Sequence, residues 1–168
     1  MAASVAAAAP LDAFVGLGSN VGDRAAEIES AIDEIAALPS TTLVARSSLY
    51  RSAPLAASGG EYLNAVVRLR TLLAPLALLH ALQAIEQAHG RERPFANAPR
   101  TLDLDLLLHG DAVLDSAALT LPHPRLHERA FVLVPLAEIA PGLVIPRRGA
   151  LSALCANVAA QPLAKLNR

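Results

Sequence analysis

Thr101-Leu102-Asp103-Leu104-Asp105-Leu106-Leu107-Leu108 is a strand written in alternation. Successive side chains of a β-strand point to opposite faces. Leu102, Leu104 and Leu106 therefore share one face, and Thr101, Asp103 and Asp105 share the other. Such a strand offers one side to a core and the other to a site. Asp103 and Asp105 stand two residues apart, which puts their Cα atoms about 7 Å apart at about 3.3 Å rise per residue. Two carboxylates so placed repel each other unless a cation sits between them. Oxygen donors in that number suit Mg²⁺, which keeps several waters and takes its other ligands from phosphates. Two ions about 3.5–4 Å apart can share such a pair. A bare D-x-D matches by chance more often than by function, and the plainer reading is the polar face of an edge strand.

Arginines flank the pair. Arg91, Arg93 and Arg100 lie just upstream, and Arg125 and Arg129 follow downstream. Guanidinium forks match phosphate oxygens bidentately and neutralise charge in phosphoryl transfer. Alone they read as ordinary loop charge; beside two aspartates they suggest a metal–polyphosphate site. His123 sits in a proline-stiffened loop, Leu121-Pro122-His123-Pro124-Arg125, within reach of a phosphate or nucleotide. His80, His89 and His109 show no partner in the sequence. A flat heterocycle needs an aromatic face and an amide edge. Tyr62, Asn64 and Phe131 can supply both, although core packing explains the two aromatics as well.

Asp12 to Ser19 reads as a strand that runs into Gly16-Leu17-Gly18-Ser19-Asn20-Val21-Gly22-Asp23. That run lacks the spacing of the known nucleotide loops, so a tight strand-to-helix turn is expected, with Asp23 near the helix start. Ile28, Ile32 and Ile35 recur at helical spacing up to Pro39. Thr42 to Tyr50 is extended in character, and Arg51 to Gly60 is a loop. Glu61 to Thr71 is a strand. Pro75 opens a helix that Gly90 closes. A second loop covers Arg91 to Pro99. A short strand is expected around Leu119 to Pro122, and helices over Val132 to Ala140 and Leu151 to Val158. The order β-α-β-β-α-β is the ferredoxin-like pattern of an α+β domain. Its sheet is mostly antiparallel, its helices lie on one face, and a helical extension follows at the C-terminus.

The 168 residues suit a single domain, expected over residues 12–168 after a disordered Ala-rich tail of residues 1–11. The tail has no basic start, which speaks against a signal peptide and for a cytoplasmic protein. A net charge of −1 gives no footprint for nucleic acid. No apolar run reaches the length of a membrane span. The one cysteine, Cys155, forms no internal disulfide, which fits a reducing compartment. Nothing marks an interface, so a monomer is expected.

Several motifs fall together in order and spacing. They are G-L-G-S-N-V-G-D, S-S-L-Y-R-S-A-P-L, Y-L-N-A-V-V, I-E-Q-A-H-G-R-E-R, P-R-T-L-D-L-D-L-L-L and L-P-H-P-R-L-H-E-R-A-F-V-L-V-P-L-A-E-I-A-P. Over nearly the whole stretch from Phe14 to Pro146 the chain resembles the 6-hydroxymethyl-7,8-dihydropterin pyrophosphokinases. The resemblance implies a ferredoxin-like fold. It implies transfer of diphosphate from ATP to the pterin hydroxymethyl group, with AMP released. Asp103 and Asp105 match the residues that hold two Mg²⁺ ions. Arg91, Arg93, Arg100 and Arg129 match phosphate-contacting arginines, with Arg91 and Arg100 in catalytic roles. Glu86, Thr120 and His123 match nucleotide contacts. Ser52, Leu55, Tyr62, Asn64 and Phe131 match the pterin pocket. Ala96-Asn97-Ala98 departs from the Arg-Trp of many members, and no role is carried onto it. The loops at 51–60 and 91–99 are expected to close over ATP. The alternative from another class is a nucleotide-sensing ferredoxin-like module without catalysis.

Overall fold

The structure is a computed structural model and describes residues 9–20, 23–52, 61–90 and 102–166. Strand β1 (Leu11–Ser19) is followed by α1 (Arg24–Ala36), β2 (Thr41–Arg46), β3 (Tyr50–Ser52) and β4 (Tyr62–Thr71). Then come α2 (Pro75–Gly90), β5 (Asp103–His109), β6 (Leu114–Asp115) and β7 (Thr120–Leu121). Helix α3 (Ala130–Ile139), the ribbon β8 (Val144–Ile145) and β9 (Gly149–Ala150), α4 (Leu151–Asn157) and β10 (Leu163–Lys165) complete the chain.

The main sheet runs β10-β3-β4-β1-β5, with β2 pairing to β4 beside β3. Every pairing in it is antiparallel. With β2 and β3 as two halves of one strand, the order is that of the ferredoxin-like fold expected from the sequence. The expected single extended segment, Thr42 to Tyr50, is therefore broken. Ser47 breaks it: its backbone N–H donates to Val66 O at 2.9 Å and its hydroxyl accepts from Val66 N at 2.9 Å. The side chain satisfies a backbone group there, so the strand can bend without orphaning it. Arg51 and Ser52, expected in a loop, belong to β3.

Helices α1 and α2 cover one face. Asp23 caps α1, its carboxylate accepting from Ala26 N at 3.1 Å, as the sequence predicts. Ile28, Ala31, Ile32 and Ile35 of α1 and Leu78, Leu82 and Ile85 of α2 bury against Val15, Leu17, Val67, Leu69, Leu104 and Leu106. The apolar stripe at helical period thus meets the apolar side of the alternating strands.

The opposite face is only partly covered. Phe14, Val66, Leu107 and Leu108 form a second core there with Leu133 and Leu136 of α3 and Leu151 and Leu154 of α4. Simple alternation would turn Leu108 toward α1 and α2. The β1–β5 register instead shifts between Phe14 and Val15, so Phe14 pairs with Leu108 and Val15 with Leu106. This bulge lets both Leu107 and Leu108 join the second core. Beyond α3 no described element covers the same sheet face, and the aspartates stand there.

Candidate active site

On the open part of the sheet, three strands set side chains in rows. Asp105 pairs with Gly16, and Gly16 with Val66; Asp103 pairs with Gly18, and Gly18 with Asn64. The middle strand contributes only glycines between the acidic edge and the amide. A pocket forms above them, lined by Gly16, Gly18, Ser52, Tyr62, Asn64, Asp103, Asp105, Arg129 and Phe131 among others. The glycines are therefore the floor of a site. The expected strand Asp12 to Ser19 already held both glycines, and they lie inside β1; the sequence reading gave the run a turn's role and not that of a pocket floor. Their period of two, in step with Asp103 and Asp105, was the signal available.

Seven of the residues singled out from the sequence meet in this pocket: Ser52, Tyr62, Asn64, Asp103, Asp105, Arg129 and Phe131. Asn64 and Ser52 are buried, and Asn64 Nδ2 donates to Ser52 Oγ at 2.7 Å and more weakly to Tyr50 O at 3.5 Å. Committing the amide nitrogen this way turns Oδ1 toward Gly18, where a Cβ would lie 3.4 Å from it. An acceptor oxygen is thus presented to the pocket. Phe131 stands at the start of α3, and the Arg129 guanidinium lies 5.5 Å from its ring centroid. Cation–π contact holds the arginine at the rim without neutralising it.

The residues expected to touch nucleotide gather around β5. Glu86 on α2 accepts from Leu104 N at 2.7 Å, the amide between the two aspartates. His123 N donates to the carbonyl of Leu107 at 2.9 Å, at the bulge. His123 Nδ1 accepts from Arg125 N at 3.1 Å, so its ring hydrogen is on Nε2. Burial lowers the His123 pKa; the Asp105 carboxylate opposes this, and the Arg129 and Arg125 guanidiniums add to it. A neutral imidazole with Nε2–H is a donor suited to phosphate oxygen. Thr120 sits on β7 opposite Asp115 and does not line the pocket. Leu55, Arg91, Arg93 and Arg100 lie outside the described residues, as do 53–60 and 91–99 of the two expected closing loops.

Two histidines read as unpartnered are engaged. His89 Nδ1 meets Glu27 at 2.6 Å and Nε2 meets Glu34 at 2.5 Å, which joins α2 to α1. His109 is buried and donates from Nε2 to Leu73 O at 2.8 Å. Each contact spans more than thirty positions in the sequence.

Two carboxylates on one strand face, opening on a pocket with room above a glycine floor, are a donor set that fits Mg²⁺. Among the described residues no group of three or more metal-ligating side chains occurs, so remaining ligands would come from water or substrate. No helix among the described residues is long and apolar enough to cross a membrane.

Comparison with known proteins agrees with this architecture. The chain is 50% identical over 134 residues to the 2-amino-4-hydroxy-6-hydroxymethyldihydropteridine pyrophosphokinase of Pseudomonas aeruginosa, covering 79% of this chain and 83% of the relative. It is 41% identical over 158 residues to the Haemophilus influenzae protein of that name, covering 94% and 99%. Among solved structures, an HPPK-DHPS triple mutant from Plasmodium falciparum superposes with a TM-score of 0.75 at 13% identity, covering 91% of this chain. This chain spans 45% of that longer one, and at such identity the likeness speaks for the fold alone. Residues 14–141 match the family model 7,8-dihydro-6-hydroxymethylpterin-pyrophosphokinase. The chain belongs to the 7,8-dihydro-6-hydroxymethylpterin-pyrophosphokinase family.

Proposed function

We propose that this protein transfers diphosphate from ATP to the hydroxymethyl group of 6-hydroxymethyl-7,8-dihydropterin, giving AMP and the pterin diphosphate, in folate biosynthesis. The supporting observation is that an acid pair and a heterocycle-sized set of amide and aromatic groups share one pocket. Asn64 Oδ1 accepts from the pterin's N–H edge, and Tyr62 and Phe131 flank the ring. This directs the hydroxymethyl group toward Asp103 and Asp105. Those two carboxylates hold Mg²⁺, two ions in this reading, which would supply charge neutralisation on the triphosphate. The substrate hydroxyl attacks the β-phosphorus in line, and the bond from that phosphorus to the α,β-bridging oxygen breaks, so AMP leaves. The protein's part is chiefly positioning and electrostatics, since phosphoryl transfer needs little covalent help. Arg129 and the His123 Nε2–H stand ready for phosphate oxygens, and Arg91, Arg93 and Arg100 join them. Glu86 and Thr120 complete the nucleotide contacts, and Ser52 and Leu55 the pterin wall. Family membership does not favour the sensing alternative.

The experiment is incubation with ATP, Mg²⁺ and the hydroxymethyl-dihydropterin, with nucleotide products separated by chromatography. AMP and pterin diphosphate should appear in equal amounts. D103A and D105A should each lower the rate by at least about a hundredfold while circular dichroism stays unchanged, and chelation of Mg²⁺ should stop turnover. ADP as the product, or full activity in the alanine variants, would overturn the reading.

A further inference from the structure

Glu138 lies near the C-terminal end of α3, away from the pocket, yet it gathers an unusual number of donors. Ser48 N donates to its two oxygens at 3.0 and 3.2 Å, and Ser48 Oγ donates to Oε2 at 2.8 Å. Tyr50 O–H donates to Oε1 at 2.6 Å, and Lys165 Nζ stands 4.0 Å from Oε2. Ser48 belongs to the β2–β3 break, Tyr50 opens β3, and Lys165 lies on β10, which pairs with β3. Burial works to raise the Glu138 carboxyl, but the hydrogen bonds from Tyr50 and Ser48 and the Lys165 charge outweigh it and hold it below its ordinary value. The group is therefore a carboxylate at neutral pH, and bonds to an ionised acceptor are the strong ones.

The two elements that Glu138 joins are the two that build the heterocycle pocket. Strand β3 ends at Ser52, which fixes Asn64. Tyr50 itself contributes its carbonyl to Asn64 and its phenol to Glu138. Helix α3 carries Phe131 at its start and Glu138 at its other end. A single rigid helix thus presents the aromatic wall from one end while its other end is bolted to the strand that sets the amide edge. The apolar core seats α3 on the sheet, and the Glu138 bonds tie its far end to that strand.

Resting on the pyrophosphokinase reading above, we infer that Glu138 is a positioning residue for the pterin pocket: by holding the Ser48–Tyr50 break against α3, it sets the spacing between Phe131 and Asn64. It touches neither substrate nor the acid pair. Its loss acts chiefly on pterin affinity; on the nucleotide half it reaches only Arg129, which caps the start of α3 beside Phe131.

The test compares the wild type with E138A, E138Q and Y50F. Calorimetry gives the affinity for the pterin and, separately, for a non-hydrolysable ATP analogue with Mg²⁺; steady-state AMP formation gives KM and kcat. E138A should weaken pterin binding and raise its KM by about tenfold or more, with ATP-analogue affinity and kcat within about threefold of wild type. E138Q keeps one acceptor oxygen and should recover part of the loss. Y50F keeps the buried ring and removes one donor, so it should give a smaller shift in the same direction and remains informative if E138A folds poorly. Equal losses in pterin affinity, ATP affinity and kcat would show a merely structural role and overturn the inference. So would unchanged pterin affinity in E138A and Y50F. Absence of pterin binding by the wild type would instead defeat the reading on which the inference rests.

Discussion

Replacing Gly18 by alanine separates stability from binding. Gly18 is in β1 between Asn64 of β4 and Asp103 of β5. A Cβ there would lie 3.4 Å from Asn64 Oδ1 and 3.8 Å from both Leu63 O and Tyr62 Cδ1. These are contact distances, so the fold accommodates the methyl without moving. Alanine also narrows the unfolded ensemble and is favoured over glycine inside a strand by about 0.5–1 kcal/mol. At about 2–4 °C per kcal/mol for a chain of this size, Tm should stay level or rise by about 1–4 °C. Binding should move the other way. The methyl occupies the floor and crowds the Asn64 oxygen proposed above to accept from the pterin edge. A methylene-sized misfit in such a pocket costs about 1–3 kcal/mol, or roughly 10–200-fold. The assay pairs thermal unfolding with pterin affinity by calorimetry. G18A that binds pterin within about twofold of wild type would refute the glycine-floor reasoning. A fall in Tm of several degrees would refute it too, since glycine would then be required by the backbone and not by the ligand.

Two further predictions concern side chains that brace the site from behind. E86A leaves the buried Leu104 N–H without its acceptor and should cost about 1–3 kcal/mol in urea unfolding; unchanged stability with only a weaker ATP affinity would make Glu86 a nucleotide contact alone. For His89, burial opposes the charged form, but hydrogen bonds to Glu34 and Glu27 prevail and raise the pKa. A raised histidine pKa gives stability that is present below the ordinary value near 6.5 and fades as pH climbs through the folded value. H89Q should therefore be less stable by about 1–2 kcal/mol at about pH 6 and approach wild type by about pH 9; a stability gap that is constant with pH would show that the imidazole charge is irrelevant.

The sequence alone determined what depends on neighbours along the chain. Alternation put Asp103 and Asp105 on one face and the leucines on the other, and that face is the one the pocket uses. Helical spacing named the buried side of α1, and Asp23 named its start, because period and capping are properties of a few consecutive residues. The order of elements then limited the topology to the ferredoxin-like sheet. What escaped the sequence was set by register between strands far apart in the chain. Gly16 and Gly18 became a pocket floor only because β4 and β5 flank them at matching positions. The break at Ser47 exists because its hydroxyl finds Val66, and the bulge lies at Leu107, whose carbonyl accepts from His123 N. Glu138 shows the same limit, since its hydrogen-bond donors Ser48 and Tyr50 lie some ninety residues upstream. Local pattern says which way a side chain points; only the packed sheet decides what it meets, because long-range pairing brings those partners together.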